Sequence, residues 1–220
     1  MIAIVLLTYD RMDYAKKTIA SVAKNLKLPP GEDVWFHIAD DGSEQEYRDA
    51  LWEIAKKHWG ENVSMTNSER RGYGASYNAA TQLVHGVADL ILPLEDDWEL
   101  IRKLDLTPIA AALRSDVFGC VRMGYIGTTQ LLRASFVKAQ DLWWLGLDPD
   151  SAEPHVFAGH PRLESVEWER YVGPWPEGIG AGATEFEVAH RREARKGVAW
   201  PVDLIRPSGD AFVHIGAVQA

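Results

Sequence analysis

The sequence predicts an α/β protein in which helices cover both faces of a mainly parallel central sheet, giving three layers. Two observations predict this class. Short apolar runs alternate with helical patterns along the first half of the chain, and such alternation is typical of parallel sheets. The length of 220 residues, with 46% hydrophobic and 25% charged residues, suits one globular domain. We therefore predict a single domain over residues 1–220.

The first half contains four predicted strands and three predicted helices. The apolar run at residues 2–7 predicts the first strand, and apolar residues at helical spacing predict a helix from residue 12. Ser43 followed three residues later by Glu46 is a capping-box pattern, so we expect the second helix to begin at Ser43. In order, the predicted elements are strand 2–7, helix 12–26, strand 34–39, helix 43–59, strand 62–66, helix 74–86 and strand 89–94.

The second half is less regular. The segment 141–180 is rich in tryptophan, proline and glycine, and predicts irregular loops with a β-ribbon. So many aromatic residues argue against disorder. Its tryptophans either pack in the core or a lid, or stack on a sugar ring. The remaining predicted elements are helix 105–115, strand 117–126, helix 184–197 and strands 198–202 and 211–216.

Charge and composition exclude several classes of protein. The formal net charge of −9 disfavours a general nucleic-acid binder, which needs a basic surface. No apolar run approaches the roughly 18 residues of a membrane span, and the apolar N-terminal run is interpreted as a strand rather than a signal peptide. The single cysteine, Cys120, forms no intrachain disulfide, and we expect a cytoplasmic location.

Polar segments follow each of the first four predicted strands. They read "TYDR" from Thr8, "DDGS" from Asp40, "NSERRGYGASYN" from Asn67 and "EDDW" from Glu95. Because the carboxyl ends of parallel strands meet at one sheet edge, we expect acids, arginines and glycines to line one crevice, which suits a nucleotide and a metal. Taken alone, Asp40 and Asp41 are also explained as turn or capping residues.

The last of these segments is the most informative. Three consecutive acids, Glu95, Asp96 and Asp97, end an apolar run in "LPLEDDWEL". Adjacent carboxylates repel one another unless a cation offsets their charge. Mg²⁺ or Mn²⁺, bound by one or two carboxylates together with substrate phosphates, supplies such a charge. The sequence therefore predicts a divalent cation at the end of this strand.

The segments "LLTYDRMDYAKKTIASV", "IADDGS", "NSERRGYGASYNAA" and "LPLEDDWEL" together resemble the nucleotide-sugar-binding half of a GT-A glycosyltransferase, most closely the family-2 inverting enzymes. The resemblance covers roughly residues 2–100. It implies the GT-A fold, with a nucleotide-sugar-binding half at about 1–100 and an acceptor-side half at about 101–220. The segment "TEFEVAHRREARKG" resembles the acceptor-side helix of that family. Residues 125–180 match no family motif.

The resemblance implies a role in nucleotide binding for several residues. Thr8, Tyr9 and Asp10 would line the nucleotide pocket. Asp41 would accept a hydrogen bond from the base, with Asp40 structural or assisting it. The residues implied to lie near the nucleotide are Arg71, Gly72, Gly74 and Asn78.

The same resemblance implies a role for each of the three consecutive acids and for a histidine and a glutamate later in the chain. Asp97 would bind the metal most directly, and Glu95 or Asp96 would contact ribose or metal-bound water; the family usually begins this triplet with Asp, so Glu95 is a departure. The late segment "FVHIG" implies that His214 completes the metal shell. Glu185, in the first turn of a helix capped by Thr184, is the candidate catalytic base. Two alternatives remain. Either Glu185 serves only to interact favourably with the helix dipole, or Glu187 is the base.

These observations predict a metal-dependent inverting glycosyltransferase that moves a sugar from a UDP- or GDP-sugar to a hydroxyl acceptor, with Mn²⁺ or Mg²⁺. A hydroxylated DNA base is an alternative acceptor, and a non-catalytic nucleotide-sugar-binding protein is an alternative function. A nucleotidyltransferase is disfavoured because "TYDRMDY" lacks a glycine-rich, lysine-containing loop. The arginines that could form a groove for DNA are Arg114, Arg122, Arg133, Arg162, Arg191, Arg192 and Arg195.

Overall fold

The computed structural model describes residues 1–124, 132–152, 156–202 and 211–216. The strands in these ranges are β1 (Ile2–Thr8), β2 (Leu26–Lys27), β3 (Val34–Asp40), β4 (Val63–Asn67), β5 (Leu90–Glu95), β6 (Trp98–Leu100), β7 (Leu104–Asp105), β8 (Cys120–Arg122), β9 (Ala134–Ala139), β10 (Leu142–Leu147), β11 (Arg162–Ser165), β12 (Val198–Pro201) and β13 (Phe212–His214). The helices are α1 (Met12–Asn25), α2 (Gln45–Trp59), α3 (Tyr73–Val84), α4 (Thr107–Arg114), α5 (Val166–Val172) and α6 (Ala181–His190).

The predicted parallel sheet of the first half is confirmed. The main sheet has the order β4-β3-β1-β5-β11-β8-β12-β10-β9, and its first four strands pair in parallel. Thr8 at the end of β1 lies opposite Asp40 at the end of β3, and Leu7 lies opposite Glu95 at the end of β5. The carboxyl ends of these strands therefore meet at one edge of the sheet.

The central strand β1 carries apolar side chains to both faces of the sheet. All seven of its residues are buried. Ile4 packs in one hydrophobic cluster with Ile19 of α1 and Leu51 of α2, whereas Val5 packs in a second cluster with Val84 of α3. Since successive strand residues face opposite sides, a continuous apolar run suits a strand that is covered by helices on both faces. The predicted three-layer arrangement is confirmed.

The second half extends the sheet in mixed directions. Strand β11 pairs antiparallel with both β5 and β8, and β12 pairs parallel with β8. Strands β9 and β10 form an antiparallel ribbon that ends the sheet. The prediction of irregular loops over 141–180 is wrong in part, because β11 and α5 are regular elements within this segment. The predicted strand 117–126 is shortened to β8, and its last two residues lie outside the described ranges.

The predicted capping box at Ser43 is wrong. Helix α2 begins at Gln45 with Glu44 in the N-cap position, and no side chain caps it. The hydroxyl of Ser43 instead donates to Oδ1 of Asp40 at 2.5 Å and accepts a hydrogen bond from the backbone N–H of Asp10 at 3.0 Å. The hydroxyl of Ser43 thus ties the end of β3 to the loop after β1.

Helix α6 differs from its predicted bounds at both ends. It begins at Ala181 with Gly180 as N-cap, so Thr184 is a buried residue inside the helix rather than its cap. The helix stops at His190 because Arg191 is extended. The guanidinium of Arg191 donates to the carbonyl oxygens of residues 172, 173 and 174, which holds the chain in that extended path.

A second, two-stranded sheet brings the C-terminal region to the end of β5. Strands β13 and β6 pair antiparallel, with His214 opposite Trp98. The backbone N–H of Ile215 donates to the carbonyl oxygen of Asp97 at 2.8 Å. This pairing places His214 beside the acid triplet. No helix in the described ranges is both long enough and apolar enough to cross a lipid bilayer.

Candidate active site

A cleft lies at the carboxyl ends of β1, β3 and β5. It encloses about 390 Å³ and is closed on one side by the N-terminal end of α6. Parallel α/β sheets bind ligands at this position, beyond the carboxyl ends of their strands. The structure brings together here six of the residues that the sequence proposed: Thr8, Tyr9, Asp41, Gly72, Glu95 and Asp96.

The carboxylate of Asp41 organises the loop before α3. Its Oδ1 accepts hydrogen bonds from the backbone N–H of Arg71 at 2.9 Å and from the hydroxyl of Ser76 at 2.8 Å. Its Oδ2 accepts from the N–H of Gly72 at 3.0 Å. Gly42 has a positive φ of 92°, and a Cβ there would lie 2.7 Å from the backbone nitrogen of Arg70. A glycine is therefore required where β3 approaches this loop.

Asp40 and Asp10 shape the neighbouring turn. The Oδ2 of Asp40 accepts from the backbone N–H groups of Gly42 at 3.2 Å and Ser43 at 2.9 Å. Asp10 is exposed and has a φ of 47°, a conformation that Asp tolerates better than most residues. Asp40 therefore stabilises the turn that follows β3, and it is absent from the lining of the cleft.

Asn78 lies beyond the cleft lining and fixes the segment that leads into α6. Its Oδ1 accepts from the backbone N–H of Trp175 at 2.8 Å, and its Nδ2 donates to the carbonyl oxygen of Trp175 at 2.9 Å and to Glu177 at 2.8 Å. A Cβ at Gly74 would lie 1.9 Å from the carbonyl oxygen of Pro176. Gly74 and Asn78 thus allow this segment to pack closely on α3.

Asp96 and Asp97 are both 3% exposed, and one cation bridges them. The Nη1 of Arg11 lies 3.1 Å from Oδ1 of Asp96, and its Nη2 lies 2.5 Å from Oδ2 of Asp97. Asp96 also accepts hydrogen bonds from the hydroxyl of Thr8 at 2.9 Å and the backbone N–H of Tyr9 at 3.4 Å. The charge of the acid pair is therefore offset within the protein by the arginine of "TYDR".

The three acids differ in protonation. Burial, together with the nearby carboxylates of Asp97 and Glu185, raises the pKa of Glu95 to about 8. Burial also raises the pKa of Asp96, to about 6, although the Arg11 guanidinium opposes this shift. Glu95 is therefore mainly a neutral acid at pH 7 and a hydrogen-bond donor, so the triplet carries less negative charge than its sequence suggests.

Asp97 and His214 form the remaining part of the cluster. The Nε2 of His214 lies 3.1 Å from Oδ2 of Asp97. Within the described ranges, the buried Oδ1 of Asp97 and the buried Nδ1 of His214 have no hydrogen-bond partner. A carboxylate oxygen and an imidazole nitrogen this close together are suitable first ligands for Mn²⁺ or Mg²⁺.

The protein alone offers few donors to such an ion. No group of three or more His, Cys, Asp and Glu side chains in the part of the chain that the structure describes could hold a metal. Divalent cations that act on nucleotides commonly take only one or two carboxylates and complete their shell with phosphates and water. Asp97 and His214 fit that incomplete protein shell.

Glu185 lies close enough to the acid triplet to raise the pKa of Glu95, although it is absent from the lining of the cleft. It lies in the second turn of α6, rather than in the predicted first turn, and it is partly buried. Its Oε1 accepts a hydrogen bond from the backbone N–H of Gly159. Glu187, the alternative base, is exposed to solvent.

A buried ion pair between Arg162 and Glu164 contacts the backbone of Gly159. The Nη1 of Arg162 donates to the carbonyl oxygen of Gly159 at 3.1 Å, and its Nε lies 2.6 Å from Oε2 of Glu164. The hydroxyl of Tyr77 donates to Oε1 of Glu164 at 2.7 Å. Arg162 and Glu164 are both fully buried. Arg162 thus holds the carbonyl group of Gly159, and the N–H of the same residue holds Glu185.

Residues 3–150 match the family model described as glycosyl transferase family 2. The chain belongs to glycosyl transferase family 2. Its residues 3–150 contain the acid triplet and the ends of β1, β3 and β5, where the cleft lies. No curated protein matches the sequence.

Solved structures confirm the GT-A fold of this family 2 chain. S. aureus TarS is 14% identical, with a TM-score of 0.68 over 92% of this chain and 35% of that one. S. aureus TarS 1-349 in complex with UDP-GlcNAc is 13% identical, with a TM-score of 0.68, over 100% of this chain and 61% of that one. PcManGT, a mannosyltransferase from Pyrobaculum calidifontis in complex with GDP-Man and Mn²⁺, is 15% identical. Its TM-score is 0.58, over 95% of this chain and 58% of that one. The family 2 chain thus spans less than two thirds of each of these proteins.

Three residues that the structure places at or near the candidate site were not proposed for it from the sequence. Arg11 was noted only as part of "TYDR", although its place at the end of β1 puts it in the set of strand-end residues. Gly159 and Arg162 lie in the segment that matches no family motif; no local pattern indicated Gly159, and Arg162 was named only as a residue of a groove for DNA. Arg162 and Arg122 are fully buried, so they cannot line a groove for DNA, and that part of the alternative is wrong.

Proposed function

We propose that this chain transfers a sugar from a nucleoside-diphosphate sugar to a hydroxyl acceptor, using a divalent cation and inverting the anomeric centre. One observation carries the proposal. Asp97 and His214, 3.1 Å apart, lie directly after the end of β5, and the carboxylate of Glu185 is close enough to Glu95 to raise its pKa. A cation site and a separate carboxylate are the two groups that a single in-line displacement needs.

The cleft suits the nucleotide half of the donor. Tyr9 offers an aromatic ring, which the guanidinium of Arg70 covers at 3.9 Å. Gly72 and the hydroxyl of Ser76 lie at the N-terminal end of α3, where backbone dipoles favour an anion. Family membership supports a nucleotide-sugar donor, and similar structures contain UDP-GlcNAc or GDP-Man. We propose a UDP- or GDP-sugar as the donor.

Asp97 and His214 would hold Mn²⁺ or Mg²⁺. When bound, the cation stabilises the diphosphate leaving group. GalNAc-T7 with UDP, GalNAc and Mn²⁺, which is 14% identical with a TM-score of 0.65 over 91% of this chain and 42% of that one, supports a divalent ion in this fold. The neutral side chain of Glu95 avoids repulsion with the diphosphate and can donate a hydrogen bond to the donor.

Glu185 is the proposed base. Its carboxylate removes the proton from the acceptor hydroxyl, which attacks the sugar on the side opposite the leaving diphosphate and inverts the anomeric centre. The hydrogen bond from Gly159 fixes one oxygen of the carboxylate, Oε1, and we assign the proton to the other oxygen. Because Glu187 is exposed, we assign the base to Glu185.

The acceptor is proposed only as a hydroxyl compound. A hydroxylated DNA base is disfavoured by the net charge of −9 and by the complete burial of Arg122 and Arg162. Arg114, another arginine of the suggested groove, is engaged by Glu32 at 2.7 Å and Asp89 at 2.6 Å.

The experiment measures release of UDP or GDP from a panel of UDP- and GDP-sugars with water as acceptor, with and without Mn²⁺. We expect turnover of one nucleotide class that requires Mn²⁺. Asp97→Asn should lower it by about a hundredfold or more, because a bound cation contributes several kcal/mol. Asp33→Asn removes an exposed carboxylate outside the cleft and is the matched control.

The base is tested in the same assay. Glu185→Gln should lower turnover by about 10²–10⁴-fold with nucleotide affinity retained, which is the usual contribution of a positioned base. Loss of turnover in Glu187→Gln, with Glu185→Gln fully active, would transfer the role to Glu187. Nucleotide-sugar binding without turnover under any condition would favour a non-catalytic binding protein.

A further inference from the structure

The guanidinium of Arg11 covers the acid pair from the solvent side. Its side chain is 40% exposed, whereas those of Asp96 and Asp97 are 4% and 5% exposed. The contacts of 3.1 and 2.5 Å join two nitrogens of one guanidinium to two different carboxylates. Arg11 is therefore positioned as a cation shared by both acids, which is the compensation that buried carboxylates require.

Arg11 can leave this position without disturbing the core. It immediately precedes α1, and its side chain makes no capping hydrogen bond to that helix. Beyond the two carboxylates, its guanidinium contacts the ring of Tyr14, with 4.9 Å to the centroid. Because the side chain is partly exposed and has a flexible aliphatic part, its release costs few buried contacts.

Two side chains contact the same carboxylate oxygen of Asp97. The Oδ2 of Asp97 contacts Nη2 of Arg11 and lies 3.1 Å from Nε2 of His214, whereas the buried Oδ1 has no partner in the described part of the protein. A divalent ion on Asp97 and His214 would lie within a few ångströms of the guanidinium. Like charges at about 4 Å repel strongly where solvent screening is weak. Arg11 and the metal therefore cannot both remain on Asp97 at little cost.

We propose that Arg11 is the counter-cation of Asp97 in the metal-free protein, and that the divalent cation binds by displacing it. This proposal rests on the metal dependence of the proposed function. It assigns to Arg11 a role in setting the affinity for metal: the arginine stabilises the metal-free cluster and lowers the apparent affinity of the ion. The displaced guanidinium stays at the cleft, which it lines, where an incoming diphosphate is a suitable partner.

The test is a titration with Mn²⁺ alone, followed by electron paramagnetic resonance of the free ion, on the wild type, Arg11→Gln and Arg11→Lys. We expect Arg11→Gln to bind Mn²⁺ at least about tenfold more tightly, because the variant lacks the positive charge that competes with the ion for Asp97. Arg11→Lys should lie between them, because it keeps the charge but not the paired contacts. Arg70→Gln, which removes a cleft arginine that contacts Tyr9 instead, is the control and should change affinity little.

A second measurement uses thermal unfolding and does not depend on activity. Without metal, Arg11→Gln should have a lower Tm than the wild type because the buried acids lose their cation. Mn²⁺ should then raise the Tm of Arg11→Gln by more than that of the wild type. Equal or weaker Mn²⁺ binding in Arg11→Gln, or no Mn²⁺ binding by either protein, overturns the proposal. The proposed function is tested separately by donor turnover, so displacement can fail while metal-dependent transfer is retained.

Discussion

The backbone N–H of Gly159 donates a hydrogen bond to Oε1 of Glu185. A Cβ at Gly159 would lie 3.0 Å from that oxygen and 3.1 Å from the carboxylate carbon. A side chain at position 159 would therefore displace the carboxylate of Glu185. This contact joins the segment without a family motif to the proposed base.

Gly159→Ala should move the carboxylate of Glu185 by a few tenths of an ångström and lower kcat by about tenfold, since a misplacement of about 1 Å costs about a hundredfold. The KM for the donor should stay near the wild-type value, because position 159 is absent from the lining of the nucleotide cleft. Steady-state measurement of kcat and of the KM for the donor checks both expectations. Gly86→Ala is the matched control, since a Cβ there would meet nothing within 4 Å. Full activity of Gly159→Ala would show that the position of Glu185 does not matter.

The buried pair of Arg162 and Glu164 should be sensitive to the loss of one partner. Arg162→Met leaves the carboxylate of Glu164 buried without its cation, and we expect a loss of about 3–5 kcal/mol in the free energy of unfolding. Combining Arg162→Met with Glu164→Leu should cost less than Arg162→Met alone, because no unpaired charge remains. Urea unfolding provides the measurement.

The control for this pair is an exposed one. Arg133 lies 3.1 Å from Asp148, and its side chain is 64% exposed. Arg133→Gln should change the free energy of unfolding by about 0–1 kcal/mol. If Arg162→Met were as mild as Arg133→Gln, the pair would not support the Gly159 peptide as described.

His37 should make the protein less stable in acid. Its ring is 1% exposed, and its nitrogens lie 2.8 Å from the hydroxyl of Ser64 and 3.1 Å from that of Thr66. Burial lowers the pKa of His37 from 6.5 to about 4. The folded protein therefore holds fewer protons than the unfolded chain between these values, so its contribution to stability is full above pH 6.5 and is lost as the pH falls towards 4.

This contribution amounts to about 2 kcal/mol between about pH 7 and about pH 5. Urea unfolding at both pH values should show that His37→Gln is less sensitive to acid than the wild type by this amount. His58→Gln, at an exposed position, should retain the wild-type pH dependence. An unchanged pH dependence in His37→Gln would mean that other groups account for the acid sensitivity.

The parallel half of the fold could be predicted because its signals are local. The apolar run of β1 and the polar residues that follow it are both read directly from the sequence, and the parallel arrangement then brings the strand ends together. The helix ends were predicted less well. Ser43 has the residue type of a helix cap, but its hydroxyl is used by Asp40, and this competition depends on the tertiary structure.

The sequence predicted the acidic residues of the candidate site but not the residues that contact them. Glu95, Asp96 and Asp97 are conspicuous in the sequence, and a divalent cation was the predicted compensation. The structure shows that Arg11, 85 residues before Asp96, already supplies a positive charge. The surroundings that raise the pKa of Glu95 likewise follow from packing, which residue spacing does not reveal.

The most direct test of the account is a calorimetric titration of the protein with UDP and with GDP, in the presence and absence of Mn²⁺. We predict that one of the two nucleotides binds at least about tenfold more tightly with Mn²⁺, as expected when a cation joins protein carboxylates to phosphates. Asp97→Asn should abolish this difference and leave the metal-free affinity unchanged. Equal affinity with and without Mn²⁺ in the wild type, or no binding of either nucleotide, would contradict the central claim.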